Sequence, residues 1–148
     1  MAAPHAGDPA PEFSLLAQDG SRVTLSALRG RAVVLIFYPM DKTPGCTAQL
    51  CAARDDADRY KAAGVDVFGV NNGSAASHES FVTKHGLRTP LLVDTGLDVS
   101  TAYGAVLGLG KLSMINRTVV GIAPDGTISY YQRGSPSTDA ILAAVAPG

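Results

Sequence analysis

The stretch from Thr43 to Cys51 holds the residue types that point most directly to chemistry. It reads Thr-Pro-Gly-Cys-Thr-Ala-Gln-Leu-Cys and follows an apolar run that ends at Pro39. Thr43 followed by Pro44 is typical of a helix start, with threonine at the N-cap and proline at the first helical position. Cys46 then falls in the first turn, where unpaired backbone N–H groups and the helix dipole favour a thiolate. The pattern predicts a nucleophilic Cys46, although a free cysteine is also common as a small buried hydrophobe.

The second cysteine, Cys51, lies five residues further along the same predicted helix. In an ideal α-helix this separation places the two Cα atoms about 8–9 Å apart, whereas a disulfide requires roughly 4.4–6.8 Å. An intramolecular bridge between Cys46 and Cys51 would therefore require the first turn or two of the helix to unfold. The spacing also differs from the Cys-x-x-Cys motif of thioredoxin-type oxidoreductases, which disfavours thiol–disulfide exchange between proteins as the function.

The composition excludes several other classes of site. The 148 residues include two cysteines, too few for a disulfide scaffold or an all-cysteine zinc site. The three histidines, His5, His78 and His85, stand in no metal-binding spacing to them. Twelve lysines and arginines against thirteen acidic residues give a net charge of −1, so no basic surplus favours nucleic acid. We therefore expect no metal and no nucleic-acid partner.

The hydrophobic patterning predicts a chain that does not enter membranes. The longest uncharged runs, such as Val99 to Gly110, reach 12 residues, short of the roughly 18 that suggest a membrane span. The N-terminal residues show neither the basic region nor the apolar segment of a secretion signal. We expect a cytoplasmic protein without a membrane partner.

The segments around the two cysteines predict a mixed α/β fold. Residues 31–38 carry seven apolar side chains after their arginine, which is typical of a central buried strand. From Pro44 apolar residues recur at helical spacing, so we predict one helix that ends at Gly64. The order of the elements predicts a mixed central sheet flanked by helices on both faces, with an N-terminal β-hairpin. The other predicted elements are the hairpin at 13–16 and 22–25, strands at 65–70, 90–93, 118–122 and 127–131, helices at 77–85 and 98–103, and a last helix capped by Ser137 that runs through Val145.

No repeat, linker or low-complexity tract divides the sequence. A chain of this length buries about 68–70% of the surface that its unfolded form exposes, which is enough for one hydrophobic core without disulfides or metals. We therefore predict a single domain over residues 1–148.

The pattern Pro39-x-x-x-Thr43-x-x-Cys46 resembles the active-site signature of the peroxiredoxins. Its extension to Cys51 is similar to the bacterioferritin comigratory protein, or peroxiredoxin Q, subfamily. The resemblance covers most of the chain and implies a thioredoxin-like (peroxiredoxin) fold. Gln49 stands where a Glu is frequent in the family, which keeps hydrogen bonding but removes a charge. Further matching segments are Gly7 to Phe13, Arg54-Asp55, Asn116-Arg117-Thr118 and Asp125-Gly126.

The resemblance also implies a role for each site residue. The thiolate of Cys46 would attack the terminal oxygen of a hydroperoxide and become a sulfenic acid. Arg117 would stabilise the thiolate and the charge that develops on the peroxide. Thr43 would offer its hydroxyl to the thiolate or peroxide besides capping the helix, and Pro39 would shield the sulfur and limit over-oxidation. Cys51 would resolve the sulfenic acid to an intramolecular disulfide after local helix unfolding.

The same resemblance implies a thioredoxin-dependent, atypical 2-Cys peroxidase. Its substrates would be hydrogen peroxide and organic hydroperoxides, its reductant a thioredoxin-like dithiol protein, and no metal, flavin or haem would take part. A monomer is favoured, and a dimer stays open because the segment 106–112 is unusually apolar. We predict that this segment packs as a loop near the pocket, with an organic-peroxide contact or a subunit patch as alternatives. Two alternative functions are a redox sensor or binding switch that uses the Cys46–Cys51 disulfide, and a protein thiol–disulfide oxidoreductase.

Overall fold

The described chain alternates strands and helices. The computed structural model describes residues 3–146, so residues 1, 2, 147 and 148 of the predicted 1–148 domain lie outside it. The α-helices are α1 (Pro44–Asp55), α2 (Ala57–Ala62), α3 (Ala75–His85), α4 (Asp98–Ala102) and α5 (Thr138–Val145). No helix within residues 3–146 is long and apolar enough to cross a bilayer. The strands are β1 (Ser14–Leu16), β2 (Arg22–Thr24), β3 (Ala32–Phe37), β4 (Val65–Asn71), β5 (Leu91–Val93), β6 (Val106–Leu107), β7 (Met114–Ile115), β8 (Thr118–Ile122) and β9 (Ile128–Arg133).

The central sheet has five strands in the spatial order β5-β4-β3-β8-β9. β3 pairs in parallel with β4, and β4 with β5, whereas β8 runs antiparallel to both β3 and β9. The predicted mixed sheet with an N-terminal hairpin is confirmed, since β1 and β2 form that hairpin. The register places Phe37, the last residue of β3, opposite Val70 of β4 and Thr118 of β8. The carboxyl ends of β3 and β4 and the start of β8 therefore lie at the same edge of the sheet.

Both faces of β3 are covered, because all six of its residues are buried. Even-numbered side chains such as Val34 pack with residues of α1, α2, α3 and α5 in one apolar cluster. Odd-numbered side chains such as Leu35 pack on the other face with the hairpin, Tyr103 and α4. The predicted helices on both faces are confirmed, with the short α4 on the second face. Burying one such aliphatic side chain contributes about 1.5–3 kcal/mol, so this strand is a main source of stability.

The prediction of one helix from Pro44 to Gly64 is wrong, because the structure divides it at Asp56 into α1 and α2. Asp56 has φ −99° and ψ 12°, outside the α-helical region. Its carboxylate accepts a hydrogen bond from Thr138 Oγ1 at 2.6 Å. Aspartate competes with the helical backbone through such side-chain contacts, and this partner comes from the start of α5.

The apolar segment 106–112 also departs from its prediction as a packed loop. Val106 and Leu107 form β6, which pairs with β7 in a separate two-stranded sheet. The predicted packing is wrong for Leu109 and Leu112, which are 88% and 83% exposed. A contact with organic peroxides and a subunit patch stay alternatives for these side chains.

The fold requires glycine at Gly121 in β8. A Cβ at this position would collide with Val145 Cγ1 and approach Tyr130 Cβ to 3.0 Å. We expect Gly121→Ala to lower the free energy of unfolding by about 1–3 kcal/mol, the usual range for an overpacked core. Urea unfolding followed by circular dichroism measures the change.

Gly96→Ala is the matched control, because a Cβ there meets the Asp98 side chain at ordinary distances of 3.6–3.7 Å. Its free energy of unfolding should stay within about 0.5 kcal/mol of wild type. Equal stabilities for Gly121→Ala and Gly96→Ala would contradict the close packing of β8 against α5.

Candidate active site

Strand pairing brings Arg117 to the start of α1. Thr118, the first residue of β8, pairs with Phe37 at the end of β3, and the chain leaves β3 through a short loop into α1. Arg117 directly precedes β8, so it lies beside that loop although 71 residues separate it from Cys46. Its backbone is held by Gly134, whose N–H donates to the Arg117 carbonyl at 2.8 Å.

A charged hydrogen bond joins two of the predicted catalytic residues. Arg117 Nη2 donates to Cys46 Sγ at 3.2 Å, and Cys46 is completely buried in the apolar cluster beneath α1. Burial by itself favours a neutral thiol, whereas an adjacent cation favours the thiolate. Because a guanidinium stays charged throughout the physiological pH range, Arg117 supplies a permanent positive charge to the sulfur.

The first turn of α1 adds a second source of positive potential. α1 begins at Pro44 and Cys46 is its third residue, as predicted. Thr43 occupies the N-cap position, but the expected side-chain cap is wrong, because its Oγ1 donates to the Met40 carbonyl at 3.0 Å. By helix geometry the N–H groups of Gly45 and Cys46 have no acceptor inside the helix. They therefore remain available to an anion beside the sulfur.

Gln49 orients the guanidinium of Arg117. Its Oε1 accepts from Arg117 Nη1 at 2.6 Å, and it lies three residues beyond Cys46 on α1, on the same side of the helix. A Cβ at Gly45 would come within 3.2 Å of Arg117 Nη2, so glycine leaves room for the guanidinium. From the sequence, Gln49 could form some hydrogen bond, but its partner depends on the pairing of distant strands. In the sequence, the three-residue spacing from Cys46 was the signal that Gln49 lies on the same side of the helix as the sulfur.

The structure does not bring Cys51 to the sulfur of Cys46. Both cysteines are free thiols on the continuous helix α1, whose ideal geometry places their Cα atoms about 8–9 Å apart. Cys51 is half-buried beside the apolar cluster. Pro39 is half-buried in the loop between β3 and α1, and its carbonyl accepts from Asn71 Nδ2 at 2.9 Å. The shielding role of Pro39 and the resolving role of Cys51 stay predictions.

The sequence did not reveal a polar cluster beside this loop. Its members come from the end of β3, the loop, the end of β4 and the start of α3, so no local spacing relates them. The available signal was the pair of charged residues, Asp41 and Lys42, between Pro39 and Thr43. Within residues 3–146 no group of three or more His, Cys, Asp or Glu side chains could hold a metal ion. The cluster consists of Tyr38, Asp41, Asn71, Ser77 and His78.

Known proteins share this fold and this sequence pattern. The AhpC/TSA family matches residues 6–131 of the chain. A protein of Oryza sativa subsp. japonica named peroxiredoxin Q, chloroplastic, is 48% identical over 124 residues, which are 84% of this chain and 57% of that protein. The chain belongs to the AhpC/TSA family. It spans roughly half the length of its plant relatives, from 45% to 57%.

Two solved structures superpose closely on the chain. The crystal structure of peroxidoxin BcpB from Mycobacterium tuberculosis has a TM-score of 0.83 and 31% identity, and the match covers 91% of this chain and 89% of that one. The bacterioferritin comigratory protein of Xanthomonas campestris has a TM-score of 0.85 and 27% identity, with coverage of 95% and 96%. The predicted thioredoxin-like (peroxiredoxin) fold and the resemblance to the peroxiredoxin Q subfamily are confirmed.

Arg117→Met removes the positive charge at the sulfur while keeping an unbranched side chain. We expect oxidation of Cys46 by hydrogen peroxide to slow by roughly 10- to 150-fold, since a hydrogen bond to a charged group contributes about 1.5–3 kcal/mol. The measurement is single-turnover oxidation at neutral pH in a Cys51→Ser background, followed by rapid quenching and intact mass.

Arg88→Met is the matched control, because it removes the same charge from an exposed arginine paired with Asp58. It should oxidise at the wild-type rate. Gln49→Ala should slow oxidation by a smaller factor than Arg117→Met, since the charge remains and one orienting contact is lost. If Arg117→Met reacts as fast as Arg88→Met, the guanidinium does not activate the sulfur.

Proposed function

We propose that the chain is a thiol-dependent peroxidase that reduces hydrogen peroxide and organic hydroperoxides. The observation that carries the proposal is the buried Sγ of Cys46 at a helix start, 3.2 Å from Arg117 Nη2. The plant relatives are named peroxiredoxin Q. The structural work on the Xanthomonas campestris protein concerns the alkyl peroxide reduction activity of that protein. These names support the same chemistry here.

In the first step the thiolate of Cys46 attacks the outer oxygen of the hydroperoxide. The S–O bond forms as the O–O bond breaks, and the leaving oxygen takes a proton to become water or an alcohol. Negative charge moves from sulfur to the leaving oxygen, so Arg117 and the first-turn N–H groups stabilise the transition state. Thr43 Oγ1 already donates to Met40, so its lone pairs are free to accept the O–H of the peroxide.

In the second step Cys51 resolves the sulfenic acid. Its thiolate attacks Sγ of Cys46, the S–S bond forms, and the S–O bond breaks with release of water after protonation. The Cα separation of about 8–9 Å exceeds the roughly 4.4–6.8 Å of a disulfide, so α1 must unfold locally. The product is an intramolecular disulfide, which makes the enzyme an atypical 2-Cys peroxidase.

A dithiol protein of the thioredoxin type is the proposed reductant. It supplies two electrons and two protons, and both cysteines return to thiols while the reductant becomes a disulfide. Unfolding of α1 exposes the bond to such a protein. The complete cycle uses cysteines of one chain, which supports a monomer as the working unit. A cytoplasmic location stays a prediction.

Peroxide consumption with excess thioredoxin or dithiothreitol tests the function. Wild type should turn over many times, and Cys46→Ser should consume no peroxide above background because the attacking sulfur is absent. Without reductant, Cys51→Ser should oxidise once at Cys46 and form no internal disulfide. Intact mass under non-reducing conditions should show wild type lighter by two hydrogens after one equivalent of peroxide.

Three other outcomes of this assay would contradict parts of the proposal. Full activity of Cys46→Ser would reject the proposed nucleophile. One reaction per molecule in the presence of excess reductant would indicate a redox sensor and not an enzyme. Linked dimers without an internal loss of two hydrogens would show that Cys51 does not resolve Cys46 within one chain.

Amide hydrogen exchange tests the local unfolding of α1. Residues Pro44–Asp55 should exchange faster in the disulfide form than in the dithiol form, because the bond is incompatible with the intact helix. Strands β3 and β4 serve as internal controls and should keep their protection in both forms. Equal protection of α1 in the two redox states would contradict the proposed second step.

A further inference from the structure

A buried carboxylate holds the loop between β3 and α1. The side chain of Asp41 is 5% exposed and that of His78 is fully buried. The carboxylate accepts hydrogen bonds from Tyr38 Oη at 2.7 Å, Ser77 Oγ at 2.6 Å and His78 Nδ1 at 2.7 Å. Ser77 and His78 belong to the first turn of α3. One carboxylate therefore ties the loop before Cys46 to a helix that carries none of the predicted catalytic residues.

Asn71 holds the backbone of the same loop. It ends β4, is 3% exposed, and its Nδ2 donates to the carbonyls of Tyr38 at 2.8 Å and Pro39 at 2.9 Å. Its Oδ1 accepts from the Gly73 N–H at 2.7 Å. A Cβ at Gly73 would approach His78 Cε1 to 3.2 Å, so glycine admits the imidazole beside the loop. The cluster thus holds both the Asp41 side chain and the backbone of the loop.

The secured loop carries backbone strain next to α1. Lys42 has φ 66°, a left-handed conformation that is unfavourable for a residue with a side chain. It lies between Asp41, which the cluster holds, and Thr43, the N-cap of α1. Its Nζ makes a second, exposed contact with α3 by donating to Ser80 Oγ at 2.7 Å. Such strain persists only where neighbouring contacts impose it, and the cluster supplies those contacts.

We propose that Asp41 and His78 are positioning residues whose buried pair holds the strained loop, so that the first turn of α1 presents Cys46 to Arg117. The inference rests on the proposed peroxidase function. Loss of the pair lets Lys42 relax and the start of α1 shift. Oxidation of Cys46 needs the folded turn, whereas disulfide formation needs that turn to unfold. Loss of the Asp41–His78 pair therefore slows the oxidation of Cys46 and leaves disulfide formation unchanged or faster.

The surroundings of Asp41 lower its pKa. Burial raises the pKa of Asp41, but hydrogen bonds from His78, Ser77 and Tyr38 outweigh it, and the pKa lies below its ordinary value. Burial, followed by the charge of Asp41, raises the pKa of Tyr38, so the phenol remains a donor at neutral pH. The titratable groups hydrogen-bonded to Asp41 are Tyr38, which directly follows β3, and His78 of α3. Ionised Asp41 is the form that these donors stabilise.

Kinetic measurements of oxidation and of disulfide formation test the two chemical steps separately. In a Cys51→Ser background, Asp41→Asn and His78→Leu should slow oxidation of Cys46 by at least roughly 10-fold, the effect of losing one hydrogen bond to a charged group. In chains with both cysteines, disulfide formation is measured at saturating peroxide by quenching with a thiol-alkylating reagent. Its rate should equal or exceed that of wild type. His78→Asn, which can still donate to Asp41, should recover part of the oxidation rate.

Val82→Ala is the matched control, because it removes an apolar contact of α3 with the core outside the polar cluster. It should lower the thermal unfolding midpoint and keep both rates. If Asp41→Asn oxidises at the wild-type rate while wild type turns over peroxide, the inference is overturned and the peroxidase function stands. Equal slowing of both steps would also overturn it, since general destabilisation would explain that result. A wild-type chain that consumes no peroxide rejects the proposed function itself.

The pH dependence of the unfolding free energy tests independently whether Asp41 is ionised in the folded chain. Because the pKa of Asp41 is depressed in the folded chain, its contribution is complete above the ordinary aspartate pKa of about 3.9 and is lost as pH falls through the lower folded value. The difference in unfolding free energy between wild type and Asp41→Asn should be constant from neutral pH to about pH 5 and shrink towards about pH 3. A difference that stays constant over the whole pH range would contradict an ionised Asp41.

Discussion

In the proposed catalytic cycle, the first turn of α1 has to be folded for the first chemical step and unfolded for the second. In the intact α1, Arg117 and the first-turn N–H groups surround the sulfur of Cys46. The same intact helix keeps Cys51 beyond the reach of a disulfide. The stability of this turn therefore has two limits, because excess stability would delay resolution and too little would leave the sulfur without its positive surroundings.

The start of α1 lacks a capping contact that the starts of α3 and α5 have. α3 and α5 are capped by the side chains of Ser74 and Ser137, which accept from Ser77 and Ala140 N–H groups. The hydroxyl of Thr43 gives no such bond to α1, and a missing cap weakens a helix start by about 0.5–2 kcal/mol. The first turn of α1 is held from outside instead, by the loop on one side and the guanidinium on the other.

The features that could be predicted from the sequence depend on spacing within one element. Cys46 as the third residue of a helix is of this kind, and the structure confirms its position. Arg117 could be assigned only through the resemblance to peroxiredoxins, because its proximity depends on the register between β3 and β8. Asp41 and His78 lie 37 residues apart, and the break at Asp56 involves a contact with α5. Such contacts exist only after helices pack, so no local pattern shows them.

The interruption at Asp56 limits how far the proposed unfolding of α1 can spread along the chain. Helices unfold cooperatively along their length, so an unbroken helix would carry the disorder from α1 into the segment that holds Tyr60 against the core. Because α2 is a separate helix and Asp56 is bonded to Thr138, unfolding within the twelve residues of α1 need not continue into α2, which carries the buried Tyr60. The helix that unfolds in the proposed redox cycle and the helix that supports the core at Tyr60 are thus separate units of local stability.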